Sequence, residues 1–312
     1  MVEDVSMDRT DITPRLVTCL LVSQFPQLAD RPVSAVELEG WDNFTFRLGD
    51  DMSVRLPSAD AYVAQVDKEH RWLPVLADHL PLAIPQPLAL GVPGCGYPRP
   101  WSIYRWLEGR HATIERIADL TEFATALAKF LDTMYSIDTT DGPPAGPHSF
   151  YRVGPLSTYD TETRAAIGEL ADEIDTGAAT QVWEAASAAT WSGRPAWVHG
   201  DITPANLLVV DGRLSAVIDF GCSAVGDPAC DTTIAWTFLN GPSREAFRAH
   251  LPVDEGTWAR GRGWALWKAL ITYVEARRKR PLEANHAGLR FGWRYSARSV
   301  IDDLLAEHQR HS

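Results

Sequence analysis

Residues 197–231 read WVHGDITPANLLVVDGRLSAVIDFGCSAVGDPACD, a polar cluster set between apolar runs. His199, Asp201, Asn206 and Asp219 are its chemically capable groups. A buried carboxylate without a partner costs several kcal/mol or shifts its pKa, so acids beside apolar runs imply a task. Residues 206–210 and 214–218 flank Asp211–Gly212, and Asp-Gly is a strong hairpin turn. A hairpin brings the chain back on itself, so Asn206 and Asp219 come side by side, with Asp201 on the loop leading in. Amide and carboxylate oxygens are hard donors suited to Mg²⁺, which keeps waters and takes phosphate oxygens as well. Asp201 is then left to face a second reactant.

The elements that must position this cluster follow from periodicity. Asp11 or Thr13 can cap a first helix with Pro14 in its opening turn, and Leu16, Val17, Leu20 and Leu21 share one face. Residues 33–40 and 43–57, the latter turning at 49–51, predict an antiparallel meander. A helix follows from about Asp60, with Val66, Glu69 and Leu73 on one face and Pro74 expected to kink or end it. One more strand covers about 101–105. Beyond it the pattern is mostly helical, at 114–135, 161–175, 179–189, 243–250, 258–277 and 295–308. The expected fold class is therefore α+β, with a small antiparallel-sheet N-lobe (1–108, including a hinge) and a larger, mainly helical C-lobe (109–312).

Composition bounds the partners. The formal charge is −12, from 29 basic and 41 acidic residues, which disfavours a nucleic-acid binder and tolerates a cationic ligand. Apolar residues make up 45% and tryptophans number 12, enough for a sizeable core and for aromatic cavity walls. Cys19, Cys95, Cys222 and Cys230 form no CxxC or zinc spacing and are expected as scattered thiols in a reducing cytosol. The acidic N-terminus lacks an apolar signal core, and no run of about 18 apolar residues occurs. The expectation is a cytoplasmic protein without a membrane span, monomeric or homodimeric.

The segment HGDITPANLL resembles the HxDxxxxN catalytic loop of the aminoglycoside phosphotransferase and choline kinase group, in its antibiotic-kinase branch. IDFG (218–221) resembles the metal segment that follows that loop, and GDPACD (226–231) the stretch after it. The resemblance implies a bilobal protein-kinase-like fold in which Asp201 orients the acceptor hydroxyl and takes its proton. It implies Mg²⁺ held by Asn206 and Asp219, with His199 bracing the loop. ATP would be the phosphoryl donor, with GTP possible. In the N-lobe, EGWDNFTFRL takes the place of the phosphate-covering loop, with Gly40 and Asn43 near the phosphates. Arg55 stands where the family carries its phosphate-binding lysine, and Glu69 is its expected helix partner. Tyr104 and Trp106 fall in the hinge segment 104–107, whose backbone would hold a purine. The acceptor would be a small-molecule hydroxyl, first an aminoglycoside-like one. The alternatives are a macrolide, a metabolite such as choline or homoserine, or a non-catalytic nucleotide-binding module. Asp160, Asp227, Asp231 and Glu255 are candidates for an acidic acceptor wall, although Asp227 and Asp231 read as structural. Trp264, Trp267, Lys268, Trp293 and Tyr295 are ambiguous between core and cavity.

Overall fold

Thr13 caps the first helix: its Oγ1 accepts from the Leu16 amide at 3.4 Å, and α1 runs Pro14–Gln24. The apolar stripe Leu16, Val17, Leu20 and Leu21 is buried. The structure, a computed structural model, describes residues 11–36, 42–279 and 286–311. The chain divides into two compact units, Met1–Asp78 with Ala83–Glu108, and His79–Leu82 with Gly109–Ser312.

The first unit is built on one antiparallel sheet. Its strands are β1 (Val33–Ala35), β2 (Asn43–Leu48), β3 (Met52–Pro57), β4 (Pro87–Gly91) and β5 (Trp101–Arg105), in the order β1-β2-β3-β5-β4. The first strand is shorter than expected; residues 37–41, Gly40 among them, lie outside the described residues. Period-2 alternation puts Phe44, Phe46 and Leu48 on one face, where they join the α1 leucines, Val54, Leu56 and Trp101 in a single core. Helix α2 (Val63–Ala77) runs on past Pro74 rather than ending there. Pro74 sits near the C-terminal end, so only one backbone bond is forfeited, and Leu76 beyond it is buried.

One expectation fails outright. Cys19 and Cys95 are joined in a disulfide across 76 residues of sequence, so the chain does not carry four reduced thiols; Cys222 and Cys230 are the free ones, both buried. No local spacing announces this pair. The β4–β5 connection folds back over α1, where the Gln24 side chain bonds both the amide and the carbonyl of Val92, and this brings Cys95 to Cys19. Such a bond suits an oxidising rather than a reducing environment.

The second unit carries β6 (Arg110–His111), α3 (Leu120–Ser136), α4 (Asp160–Glu169), α5 (Thr176–Ala188), β7 (Ala196–Val198), β8 (Leu207–Val210) and β9 (Arg213–Val217). After β10 (Ala224–Gly226) come α6 (Ile234–Thr237), α7 (Gly241–His250), α8 (Glu255–Lys279) and α9 (Ala297–His311). The helix expected from 114 starts later. Residues Ile114–Arg116 form a 3₁₀ turn, and Asp119 then caps α3 by accepting from the Thr121 and Glu122 amides at 2.8 and 3.0 Å. Helix α8 is buried over most of its circumference and packs on α4, α5 and α9. It also lies on the 3₁₀ segment Pro228–Thr233, so closely that a Cβ at Gly261 would meet Thr232 Oγ1 at 1.9 Å. No helix of the described residues is long and apolar enough to cross a membrane.

Thiol titration in denaturant should find two reactive cysteines before reduction and four after it. Reduction should lower stability by about 2–4 kcal/mol, read as a lower urea midpoint. Four thiols in the purified, unreduced chain would contradict the pairing.

Candidate active site

Two antiparallel ribbons assemble the polar cluster, all of it within the second unit. Strands β8 and β9 form the Asp-Gly hairpin, with Asp211 and Gly212 at φ 49° and 79°, both in the left-handed region that such a turn requires. Strand β10 pairs with β7, Ala224 opposite Val198. The stretch before Asp201 and the stretch after Asp219 are thus tied side by side, and the Ile218 amide donates to the Asn206 carbonyl at 2.9 Å. The Asn206 amide group donates to the Asp201 carbonyl at 2.9 Å and to its carboxylate at 3.3 Å. That assignment turns the Asn206 side-chain oxygen away from Asp201. Asp219 follows in a left-handed conformation, φ 65° and ψ 70°, with its carboxylate accepting from the Gly221 amide at 3.4 Å. A non-glycine residue held there is strained, and such strain concentrates at functional sites. One amide oxygen and one carboxylate on adjoining backbone form a hard-oxygen donor pair that fits Mg²⁺.

His199 braces both segments. Its Nδ1 accepts from the Asp201 amide at 3.2 Å, its Nε2 donates to the Ile218 carbonyl at 3.1 Å, and its ring meets Phe220 edge-on. This arrangement needs the neutral imidazole with its proton on Nε2. Gly200 has φ +84°, and a Cβ there would strike the Cys222 carbonyl at 2.6 Å, so no side chain is admitted.

Asp231 fixes the loop from below. Its two carboxylate oxygens accept from the His199 amide at 3.0 Å and the Gly200 amide at 2.8 Å, and the Tyr135 hydroxyl adds a third bond at 3.3 Å. Burial pushes its pKa up to about 7 despite the opposing pull of those donors, and the Asp201 charge adds to the rise. Asp227, four residues earlier, forms a buried bidentate pair with Arg260 of α8 at 2.6 and 3.1 Å. Both acids are therefore structural. The other two candidates for an acidic wall are engaged elsewhere: Asp160 with Arg164 and the Trp183 indole, Glu255 with Arg248.

Beside Asp201 lies a narrow cleft whose walls include Arg152, Thr233, Trp264, Lys268 and Trp293. Trp267 lies behind it: the Arg152 guanidinium sits 4.6 Å from its ring, and its indole donates to Glu162 at 2.7 Å. Tyr295 is half-buried. Arg152 carries no signal in the sequence. It follows a Pro/Gly-rich loop, outside any helix or strand, and only the fold brings it to Asp201.

In the first unit, Arg55 Nη1 lies 3.6 Å from Glu69 Oε2, with both side chains largely buried. The Tyr104 hydroxyl donates to the same Glu69 oxygen, and the Arg55 guanidinium lies 5.6 Å from the Tyr104 ring. The Tyr104 side chain thus serves the ion pair, a role its place in a hinge did not suggest. The Glu69 Oε1 atom is buried with no hydrogen-bond partner. Asn43 opens β2 opposite Pro57 and is mostly buried. The amides of Arg105 and Trp106 donate to the Gln86 and Asp51 carbonyls at 2.9 and 2.8 Å, and Arg47 covers the Trp106 ring at 4.0 Å. A purine at this segment would have to use other main-chain groups.

The raised Asp231 pKa has a definite sign. Between the unfolded value of 3.8 and about 7, the folded chain holds a proton that the unfolded chain releases. This group's stabilisation is complete below pH about 4 and is lost as pH rises through about 7. D231N should therefore lose less stability than wild type between pH about 4 and about 7 in urea unfolding. An equal loss in both proteins would show that Asp231 does not titrate as its burial demands.

The family comparison places these residues in context. Residues 34–265 match the model of the phosphotransferase enzyme family. No curated protein matches the sequence. Among solved structures, a mutant of aminoglycoside 2'-phosphotransferase-IIIa in complex with GDP is similar at TM-score 0.71 and 19% identity, covering 96% of this chain and 98% of that one. The macrolide 2'-phosphotransferase MphH from Brachybacterium faecium is similar at TM-score 0.58 and 20% identity, covering 89% and 98%. The streptomycin–ATP ternary complex of APH(2'')-IIa is similar at TM-score 0.57 and 18% identity, covering 90% and 96%. These likenesses establish the bilobal kinase-like α+β fold, and with the family model matching well over half of its length, the chain belongs to the phosphotransferase enzyme family.

Proposed function

We propose that this protein transfers the γ-phosphate of a Mg²⁺-bound nucleoside triphosphate to a hydroxyl group of a small organic molecule. The observation that carries the reading is the convergence of Asp201, Asn206 and Asp219 at the paired ends of two β-ribbons. Residues 109–312 supply these groups and the acceptor cleft. Residues 1–108 serve as the nucleotide-binding lobe, where Arg55, oriented by Glu69 and Tyr104, grips the phosphates. Arginine replaces the family's lysine with a planar fork able to bind two phosphate oxygens at once. ATP is the first donor to test and GTP the second, since the similar structures hold GDP in one case and ATP in another.

Asp201 performs the chemistry on the acceptor side. Its carboxylate, held by the Asn206 amide, aligns the hydroxyl and takes its proton as the new P–O bond forms. Asn206 and Asp219 would hold the metal. When bound, Mg²⁺ would neutralise negative charge on the nucleotide's phosphate groups. His199 and Asp231 keep the Asp201 loop in place, so little reorganisation is needed during transfer. The acceptor belongs first to the antibiotic class: similar structures are described with kanamycin, gentamicin and streptomycin, and others are macrolide kinases. An aminoglycoside-like hydroxyl is the first candidate within that class.

ADP release under Mg-ATP with an acceptor panel tests the reading. D201N should lower kcat by about 10²–10⁴ while leaving the nucleotide KM within a few-fold. D219N should weaken Mg²⁺-dependent nucleotide binding in calorimetry, and added EDTA should weaken it in wild type. Undiminished turnover in D201N would remove Asp201 from the acceptor side.

A further inference from the structure

We infer that the acceptor carries, besides its reacting hydroxyl, a carboxylate or comparable oxyanion received by Arg152 and Trp293, so that the cleft selects against polycations. The inference rests on the phosphotransfer step proposed above but not on its first acceptor: it replaces the polycationic aminoglycoside with an anionic hydroxy compound for that cleft. The named walls hold two cations, Arg152 and Lys268, against one carboxylate, Asp201, which the reading already commits to the reacting hydroxyl. None of the four acids that could have made an anionic wall lines it: Asp227 and Asp231 are buried in internal hydrogen bonds, and Asp160 and Glu255 sit in exposed pairs with Arg164 and Arg248. A polyamine would meet positive charge where it needs negative.

Two buried donors strengthen the argument. Arg152 Nε and Trp293 Nε1 are both shielded from solvent with no hydrogen-bond partner among the described residues, and both side chains line this cleft. A buried donor left unpaired is destabilising, so two such donors lining one cleft call for an acceptor atom to reach them. An oxyanion supplies acceptor lone pairs to both and a countercharge to the guanidinium.

The backbone is strained to present Arg152. Phe150 and Tyr151 are consecutive non-glycine residues at φ 49° and 55°. A left-handed non-glycine residue is unfavourable, and the fold holds these two through the Tyr151 amide bond to the Gly146 carbonyl at 3.0 Å and the Tyr159 hydroxyl bond to the Phe150 carbonyl. The guanidinium carbon lies 4.6 Å from the centre of the Trp267 ring, a cation–π contact that favours this placement before any ligand arrives.

The test uses the full-length protein and a panel of hydroxy acids, each paired with its own neutral amide. Glucuronate with glucuronamide and mandelate with mandelamide are two such pairs, and kanamycin serves as the polycation. Thermal stabilisation and Mg-ATP-dependent ADP release are both measured. At least one acid should raise Tm by about 2 °C or more over its amide, and turn over with kcat/KM about tenfold higher. In R152Q that preference should vanish, with the acid's KM rising about tenfold or more; R152K should retain part of it. W293F, which keeps the ring and removes the donor, should raise the same KM several-fold. The inference is overturned if kanamycin stabilises or turns over best, or if no acid exceeds its amide in either readout. It also falls if R152Q lowers kcat equally for every acceptor, because Arg152 would then act on the transferred phosphoryl group. Failure of the phosphotransfer reading itself looks different: no stabilisation by Mg-ATP and no ADP release with any acceptor.

Discussion

Two backbone amides pointing at one buried carboxylate hold the site together. Asp231 accepts from His199 and Gly200, and that fork sets the direction in which the next residue, Asp201, leaves the loop. An amide in its place could accept with only one oxygen, so the fork needs a carboxyl group. The same carboxylate sits at the end of a segment pinned to α8 through the buried Asp227–Arg260 pair. The Asp201 loop therefore inherits its rigidity from the packing of the long helix α8, and Gly261 is small because that packing leaves no room for a Cβ. Stability and chemistry are coupled here: burial that makes Asp231 expensive to ionise also keeps the Asp201 loop from relaxing.

The two units divide the electrostatic labour differently. In the first, Arg55 is oriented by one acid and one hydroxyl, an arrangement suited to gripping phosphate with a defined geometry. In the second, Asp227 and Asp231 serve structure, and two positive groups, Arg152 and Lys268, line the cleft beside Asp201. Net charge says nothing of this. The molecule as a whole is strongly acidic, yet the wall nearest the reacting carboxylate is not. Surface charge governs solubility and long-range steering, whereas specificity is set by the few groups that touch the ligand.

What could be read from the amino acids alone was whatever depends on near neighbours in the chain. The Asp-Gly hairpin, the Thr13 cap, the alternation in β2 and the helical stripe of α1 all follow from local stereochemistry. The fold came with them, because the spacing of Asp201, Asn206 and Asp219 around that hairpin matches a known family pattern. The features that were missed all depend on distant segments meeting. Cys19 and Cys95 are far apart in sequence, Arg152 is delivered by a strained turn without periodicity, and the Tyr104 side chain finds Glu69 across a strand and a helix. Pro74 does not end its helix: the local rule is sound, but near a helix end tertiary packing outweighs one lost bond. Asp227 and Asp231 already read as structural, whereas Asp160 and Glu255 suggested an acidic wall until their pairs with Arg164 and Arg248 were seen.

A crystal structure of the protein with Mg²⁺ and a non-hydrolysable ATP analogue tests the central claim most directly. The account predicts a metal ion about 2.0–2.1 Å from the Asn206 side-chain oxygen and an Asp219 carboxylate oxygen, with phosphate oxygens completing its shell. Asp201 should face the open side of the γ-phosphate. A metal bound through other residues, or a triphosphate lying away from the paired ends of the β7–β10 and β8–β9 ribbons, would contradict it.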